Sequence, residues 1–170
     1  MSYSNTYPSL TKDRSGGIRA FYDVLNEIKN AMLDDPLVTT ITSGDITRID
    51  LSKQTIFPLA HVIVNSVTID DAVLRFNVSV LAMDIVNVSK EETTDLFVGN
   101  DNEQDVLNAS LAVLNRLTQR LANGQLYRDK YQLDGSISVE PFTDRFENTL
   151  AGMVATFDVL LQNDINSCDI

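Results

Sequence analysis

Phe57-Pro58-Leu59-Ala60-His61-Val62-Ile63-Val64-Asn65-Ser66-Val67-Thr68-Ile69 passes through Asp70-Asp71-Ala72 into Val73-Leu74-Arg75-Phe76-Asn77-Val78-Ser79-Val80-Leu81-Ala82-Met83-Asp84-Ile85-Val86, and the whole reads as two long antiparallel strands. The second strand is the clearer. Leu74, Phe76, Val78 and Val80 are apolar and Arg75, Asn77 and Ser79 polar, the period of two that places one strand face on a core and the other in water. The first strand is more evenly apolar, as suits a central strand or one covered on both faces. Asp70-Asp71 supplies turn chemistry between them. At Leu81, Met83 and Ile85 the apolar residues change parity. Either a bulge falls near Leu81-Ala82, or the strand outruns the core and its far end meets something else.

Working outward, Ile18, Phe21, Leu25, Ile28 and Met32 recur at steps of three and four and predict a helix that Asp34-Asp35-Pro36 stops. Ile46-Thr47-Arg48-Ile49-Asp50-Leu51, after the turn Ser43-Gly44-Asp45, predicts a short strand. A charged loop from Ser89 to Asn100 follows the long pair; its polar run has little to bury, so it is expected to be mobile until a neighbour orders it. Asp101-Asn102 caps a second helix with Leu107, Ser110-Leu111, Leu114, Leu117 and Leu121 as its buried stripe and Gly124 at its end. Ile137 to Glu140, ending at Pro141, and Leu150 to Leu161 are the last strands, with Met153, Ala155, Phe157, Val159 and Leu161 sharing a face. The order is helix, three strands, helix, two strands. It predicts a single α+β domain: one mainly antiparallel sheet with two helices on one face, an amino-terminal arm over 1–16, a core over 17–163 and a polar tail over 164–170.

With 170 residues, 44% of them hydrophobic, the chain is large enough to hide roughly 70% of its unfolded surface on folding. No stretch approaches the ~18 apolar residues of a membrane span, and Met1 to Thr6 show neither a basic nor an apolar leader region, so a soluble protein made in the cytoplasm is expected, without a membrane partner. The formal charge of −11, from 24 acidic and 13 basic residues, opposes binding to a phosphate backbone. Chemistry is scarce. The one histidine, His61, sits in an apolar strand, and the one cysteine, Cys168, lies beside Asp164 and Asp169, a setting that disfavours the thiolate. There is no glycine-rich nucleotide loop, no His-Glu-x-x-His and no calcium-loop spacing, so no catalytic, cofactor-binding or metal-ligating residue is assigned and no enzyme is expected.

The order of elements, the Phe57-Pro58-Leu59 lead to the central hairpin, the strand end Val80 to Val86, and the late pattern Pro141-Phe142 … Asn148-Thr149-Leu150-Ala151-Gly152 resemble the tail terminator and tail-completion proteins of tailed bacteriophages over roughly residues 17 to 165. The resemblance implies a virion protein that forms a homo-oligomeric, typically hexameric ring at the head-proximal end of the tail tube. Such a ring ends tube polymerisation and joins the tube protein to the neck or connector protein, with DNA passing through its lumen unbound. Another ring of the head-to-tail connector, and a small ferredoxin-like ligand-binding domain or enzyme, are the other readings. The candidate interface residues are Leu81, Met83 and Ile85, which the parity change leaves exposed on a monomer, and Leu96, Phe97 and Val98 in the charged loop.

Overall fold

The computed structural model describes residues 16–51, 53–145 and 149–163. The arm and tail expected at the two ends lie outside them, except that Gly16 already belongs to helix α1 (Gly16–Leu33). After α1 come β1 (Thr40–Ser43), β2 (Leu59–Ile69), β3 (Val73–Ile85), helix α2 (Glu103–Ala122), the single turn α3 (Leu126–Asp129), β4 (Tyr131–Arg145) and β5 (Thr149–Gln162). The five strands form one mixed sheet in the order β1-β2-β3-β5-β4. Only β1 and β2 run parallel; the other neighbours are antiparallel. The fold is α+β.

The period-two pattern of β3 builds the main core. Leu74, Phe76, Val78, Val80 and Ala82 are buried with Ala155, Phe157, Val159 and Leu161 of β5, under Val24, Ile28 and Met32 of α1 and Val113, Leu114, Leu117 and Leu121 of α2. Both helical stripes sit slightly around from the expected positions. Ala20 and Val24 are buried while Phe21 is half exposed, and Val106 and Val113 are buried while Leu111 is not. The ends of the helices are tied by ions: Arg116 of α2 grips the buried Asp35 through Nε and an Nη at 2.6 and 2.8 Å, and Arg120 reaches Asp34 at 2.6 Å. Burial, the largest influence on Asp35, pushes its carboxyl up; the bonds from Arg116 and the Leu37 N–H, with the Arg116 charge, more than offset it and hold the group below its ordinary value.

Two strand boundaries differ from expectation. Ile46–Arg48 is a 3-10 turn capped by Asp45, whose carboxylate accepts from Thr47 N–H at 2.9 Å, so the predicted strand over Ile46 to Leu51 is absent. Its apolar residues serve packing at a step of three, Ile46 to Ile49, and the short strand lies earlier, at Thr40–Ser43. β4 is not a four-residue strand ending at Pro141 but runs for 15 residues through it. An edge strand tolerates proline because its outer side needs no donor.

The parity change at Leu81 is no bulge. β3 pairs with β5 in unbroken register from Val73↔Gln162 to Ile85↔Leu150. Leu81, Met83 and Ile85 lie on the sheet face opposite the helices, where Phe57, Leu59 and Leu150, with Ile46, Ile49, Leu51, Ile56 and Phe142, form a second apolar cluster. Met83 is only 3% exposed. The expectation that these three residues leave a free apolar surface on the monomer is therefore corrected: the segment between β1 and β2 folds back over them.

Gly152 stands opposite Met83 in the β5–β3 pairing, and a Cβ there would run into the Ala82 carbonyl oxygen and the Met83 backbone. Those are backbone atoms of the central strand, which cannot move aside cheaply. Gly152→Ala is expected to destabilise the fold by about 1–3 kcal/mol, read as a lower urea midpoint at unchanged m-value; an unchanged midpoint would show that β3 and β5 stand further apart than described.

Candidate functional site

Among the described residues the segment between β3 and α2 carries the two most exposed large apolar side chains, Leu96 and Phe97. It closes on itself at the base: Val88 bridges Asp101, Ser89 N–H donates to the Asn100 carbonyl at 2.6 Å, and Asn102 Oδ1 accepts from Asn87 N–H at 2.7 Å. Near the tip, the Asp95 carboxylate accepts from the Phe97 and Val98 N–H groups at 2.9 and 3.2 Å, an Asx-type turn of the kind aspartate favours. Gly99, at φ 78°, returns its N–H to the Asp95 carbonyl at 2.8 Å, and Thr93 Oγ1 lies 2.9 Å from the carbonyls of both Asp95 and Gly99. Gln104 of α2 donates to the Phe97 carbonyl at 3.0 Å. This bracing aims Leu96 and Phe97 outward, 92% and 85% exposed, with Val98 and Val88 also exposed.

The six candidate interface residues therefore separate. Leu96, Phe97 and Val98 form one exposed apolar tip, whereas Leu81, Met83 and Ile85 belong to the internal cluster on the far face of the sheet. Where the sequence suggested a polar run with little to hold it, side-chain and backbone hydrogen bonds take the place of buried surface. Asp95 and Gly99 were the legible signals for that turn; closure at Val88 and Asp101 was not legible. Val67 and Ile69 near the end of β2 were not singled out, yet they are 41% and 74% exposed. Their exposure arises because neither helix extends over this end of β2, which period alone does not reveal.

The groups that would support other chemistry are committed elsewhere. His61 is 0% exposed; the Gly44 carbonyl 3.0 Å from Nε2 accepts its proton, so Nδ1 is left to accept from the Thr42 hydroxyl at 2.8 Å. It fastens β1 to β2. Burial lowers its pKa from 6.5, opposed by the Gly44 carbonyl and the charge of Asp45. Three arginines from the later part of α2 and from α3 are paired within the chain: Arg116 with Asp35, Arg120 with Asp34, Arg128 with Asp129. On the open part of the sheet face Arg75 pairs with Asp134 and with Asp158. Among the described residues no group of three or more His, Cys, Asp or Glu side chains is placed to hold a metal ion, and no helix is long and apolar enough to cross a membrane. A cavity of about 290 Å³ opens between α1 and the start of β4, floored by Val24, Ile28 and Leu161 and rimmed by Asp23, Glu27 and Tyr131. The Tyr131 hydroxyl points to Glu27 at 3.4 Å, and burial, followed by the Glu27 charge, raises its pKa above 10.0, so it stays a neutral phenol at physiological pH.

Comparison of the chain with models of known protein families and with characterised proteins finds no match.

A buried neutral histidine makes stability depend on pH. The unfolded chain binds a proton near pH 6.5 and the folded one only below that, so stability is full above pH 6.5 and falls as the pH drops through it. Unfolding free energy is expected to decline as the pH falls below 6.5, with a slope of at most about 1.4 kcal/mol per pH unit, and His61→Gln should lack that decline. A wild-type profile flat below that pH would mean that the ring is protonated without penalty.

Proposed function

We propose that this chain is a virion structural protein of a tailed bacteriophage, a subunit of a closed ring at the head-proximal end of the tail tube that stops tube growth and joins the tube to the neck. The braced loop carries the reading. A monomer has no use for Leu96 and Phe97 held almost fully in water by a dedicated hydrogen-bonded turn. A ring subunit stacked on another protein does: burying each such side chain against a partner contributes about 1.5–3 kcal/mol. The α+β sheet and the resemblance in element order support the same reading. A ring elsewhere in the head-to-tail connector differs from it only in the partner that the loop meets. The acid-rimmed cavity beside Tyr131 favours a second reading, a small ligand-binding domain, which has no need of a ring.

Native mass spectrometry of the free protein, and electron microscopy of it mixed with tail tubes, are expected to give closed rings and rings capping tube ends. Leu96→Ser with Phe97→Ser should leave the unfolding free energy within about 0.5 kcal/mol and abolish tube capping. Monomers alone in both experiments would sink the ring.

DNA is expected to pass without being held. The excess of 11 acidic groups per subunit is repeated around a ring, and Arg116, Arg120 and Arg128 are already neutralised by aspartates. Fluorescence anisotropy at ~10 mM salt, where the Debye length reaches about 30 Å, should show no sub-micromolar affinity; tight binding that fades with added salt would point instead to a DNA-gripping connector.

A further inference from the structure

The sheet has two uneven edges. On one side β1 covers β2 only from Leu59 to Val62, its last backbone bond running from Gly44 N–H to the Val62 carbonyl at 3.0 Å. Beyond it, Ile63-Val64-Asn65-Ser66-Val67-Thr68-Ile69 has no strand beside it among the described residues. This edge contains no charge and no proline, two of the devices that keep an exposed edge from pairing, and the bulge it does carry leaves Val67 to Ile69 paired in register with β3. A bulge at Asn65 shifts its register against β3, so that Val67 and Ile69 stand opposite Phe76 and Leu74 and turn to the helix-covered face instead of the polar one. There they remain 41% and 74% exposed because neither helix reaches over them. The bulge thus keeps an apolar row at the rim of the core.

The other edge is β4. Ile137 and Val139 lie on the same helix-covered face, packed against the main core, and with Leu111 and Ala112 of α2 they line an open groove of about 460 Å³. Leu111 is half exposed at its side. Three successive antiparallel pairings, β2 with β3, β3 with β5 and β5 with β4, make β4 run opposite to β2. If the sheet is continued sideways into a second copy, β4 of one copy meets β2 of the next in antiparallel sense, and the two apolar rows fall on one face.

We propose that the Ile63–Ile69 edge of one copy pairs with the β4 edge of the next and seats Val67 and Ile69 in the groove between β4 and α2, joining neighbouring subunits of the ring through a continuous sheet. This rests on the ring proposed above and names the surfaces that form it. The contact is heterologous: each copy offers β2 on one side and β4 on the other, the arrangement that yields a closed ring when the rotation closes. It leaves the Leu96–Phe97 tip, which follows the opposite end of β3, free for the tube or neck.

The test uses the full chain. Ile69→Lys places charge on a side chain that is already 74% exposed, so the urea midpoint is expected to stay where it is while rings are lost; rings that persist at wild-type levels overturn the proposal. A second measurement does not depend on destabilisation. With Cys168→Ser as background, Ser66→Cys or Thr68→Cys protein is mixed with Ser138→Cys or Gln132→Cys protein and oxidised, all four positions lying on the polar face of their strands. Disulfide-linked dimers in the mixtures only are expected. Dimers from Thr68→Cys alone would mean that β2 pairs with β2 of a second copy, and dimers that appear only after deletion of residues 1–15 would mean that the chain's own amino-terminal segment occupies the edge; either overturns the proposal. Wild-type rings without any mixed cross-link overturn the edge pairing and leave the ring standing, whereas wild-type protein that forms no ring, alone or on tubes, overturns both.

Discussion

The pairing of β3 with β5 holds the rest of the molecule in place. Thirteen consecutive residues of β3 are matched without a slip to β5, and both faces of this pair are used along their length. The helices close one face. On the other, the segment from Ile46 to Phe57 covers Leu81, Met83 and Ile85 at one end, and at the other a polar ladder remains in water. Because side chains alternate, a one-residue slip would carry Phe76 and Val78 into that ladder and Arg75 into the core. Gly152 protects the register where it is tightest, since no side chain fits against the β3 backbone there.

The polar ladder is a connected hydrogen-bond network across β2, β3, β5 and β4. Asn65 donates to Asn77 and Ser79, Asn77 donates to Asp158, and Ser79 meets the Thr156 hydroxyl at 2.9 Å, while Arg75 spans Asp134 and Asp158. The Asn65 contacts are exposed and the others part-buried, and each is individually weak. Together they keep the uncovered sheet face from being either apolar or strongly charged. Cations here, as at the ends of α1 and α2, are spent on aspartates within the chain. The acidic excess is left for the surface, where like charges repel other copies of the chain except where apolar side chains stand out.

Both exposed apolar features are placed by local backbone geometry. In the loop it is the Asp95 turn and the closure between Val88 and Asp101. At the β2 edge it is the bulge at Asn65, which turns Val67 and Ile69 toward the helix side beyond the helices' reach.

The sequence by itself determined the element types and the buried faces of the strongest ones. Leu74, Phe76, Val78 and Val80 declare β3, Ala155, Phe157 and Val159 declare β5, and the leucines from Leu114 to Leu121 declare α2, because a side chain's direction follows from backbone period alone. It also marked the loop from Ser89 to Asn100 and its Leu96-Phe97-Val98 tip. Only the tertiary structure decided what lies across from each face. The short strand proved to be Thr40–Ser43 and the run at Ile46 a turn, because four residues carry too little period to separate the two. Leu81, Met83 and Ile85 look like an exposed seam in the linear pattern, yet they are covered by a segment some 25–40 residues earlier, whose return over the sheet is a long-range contact with no local signature. The partners of Arg116 and Arg120, and the free edge of β2, are hidden for the same reason: who stands beside a strand or a charge is settled by how the chain packs, and period reports only which way a side chain points.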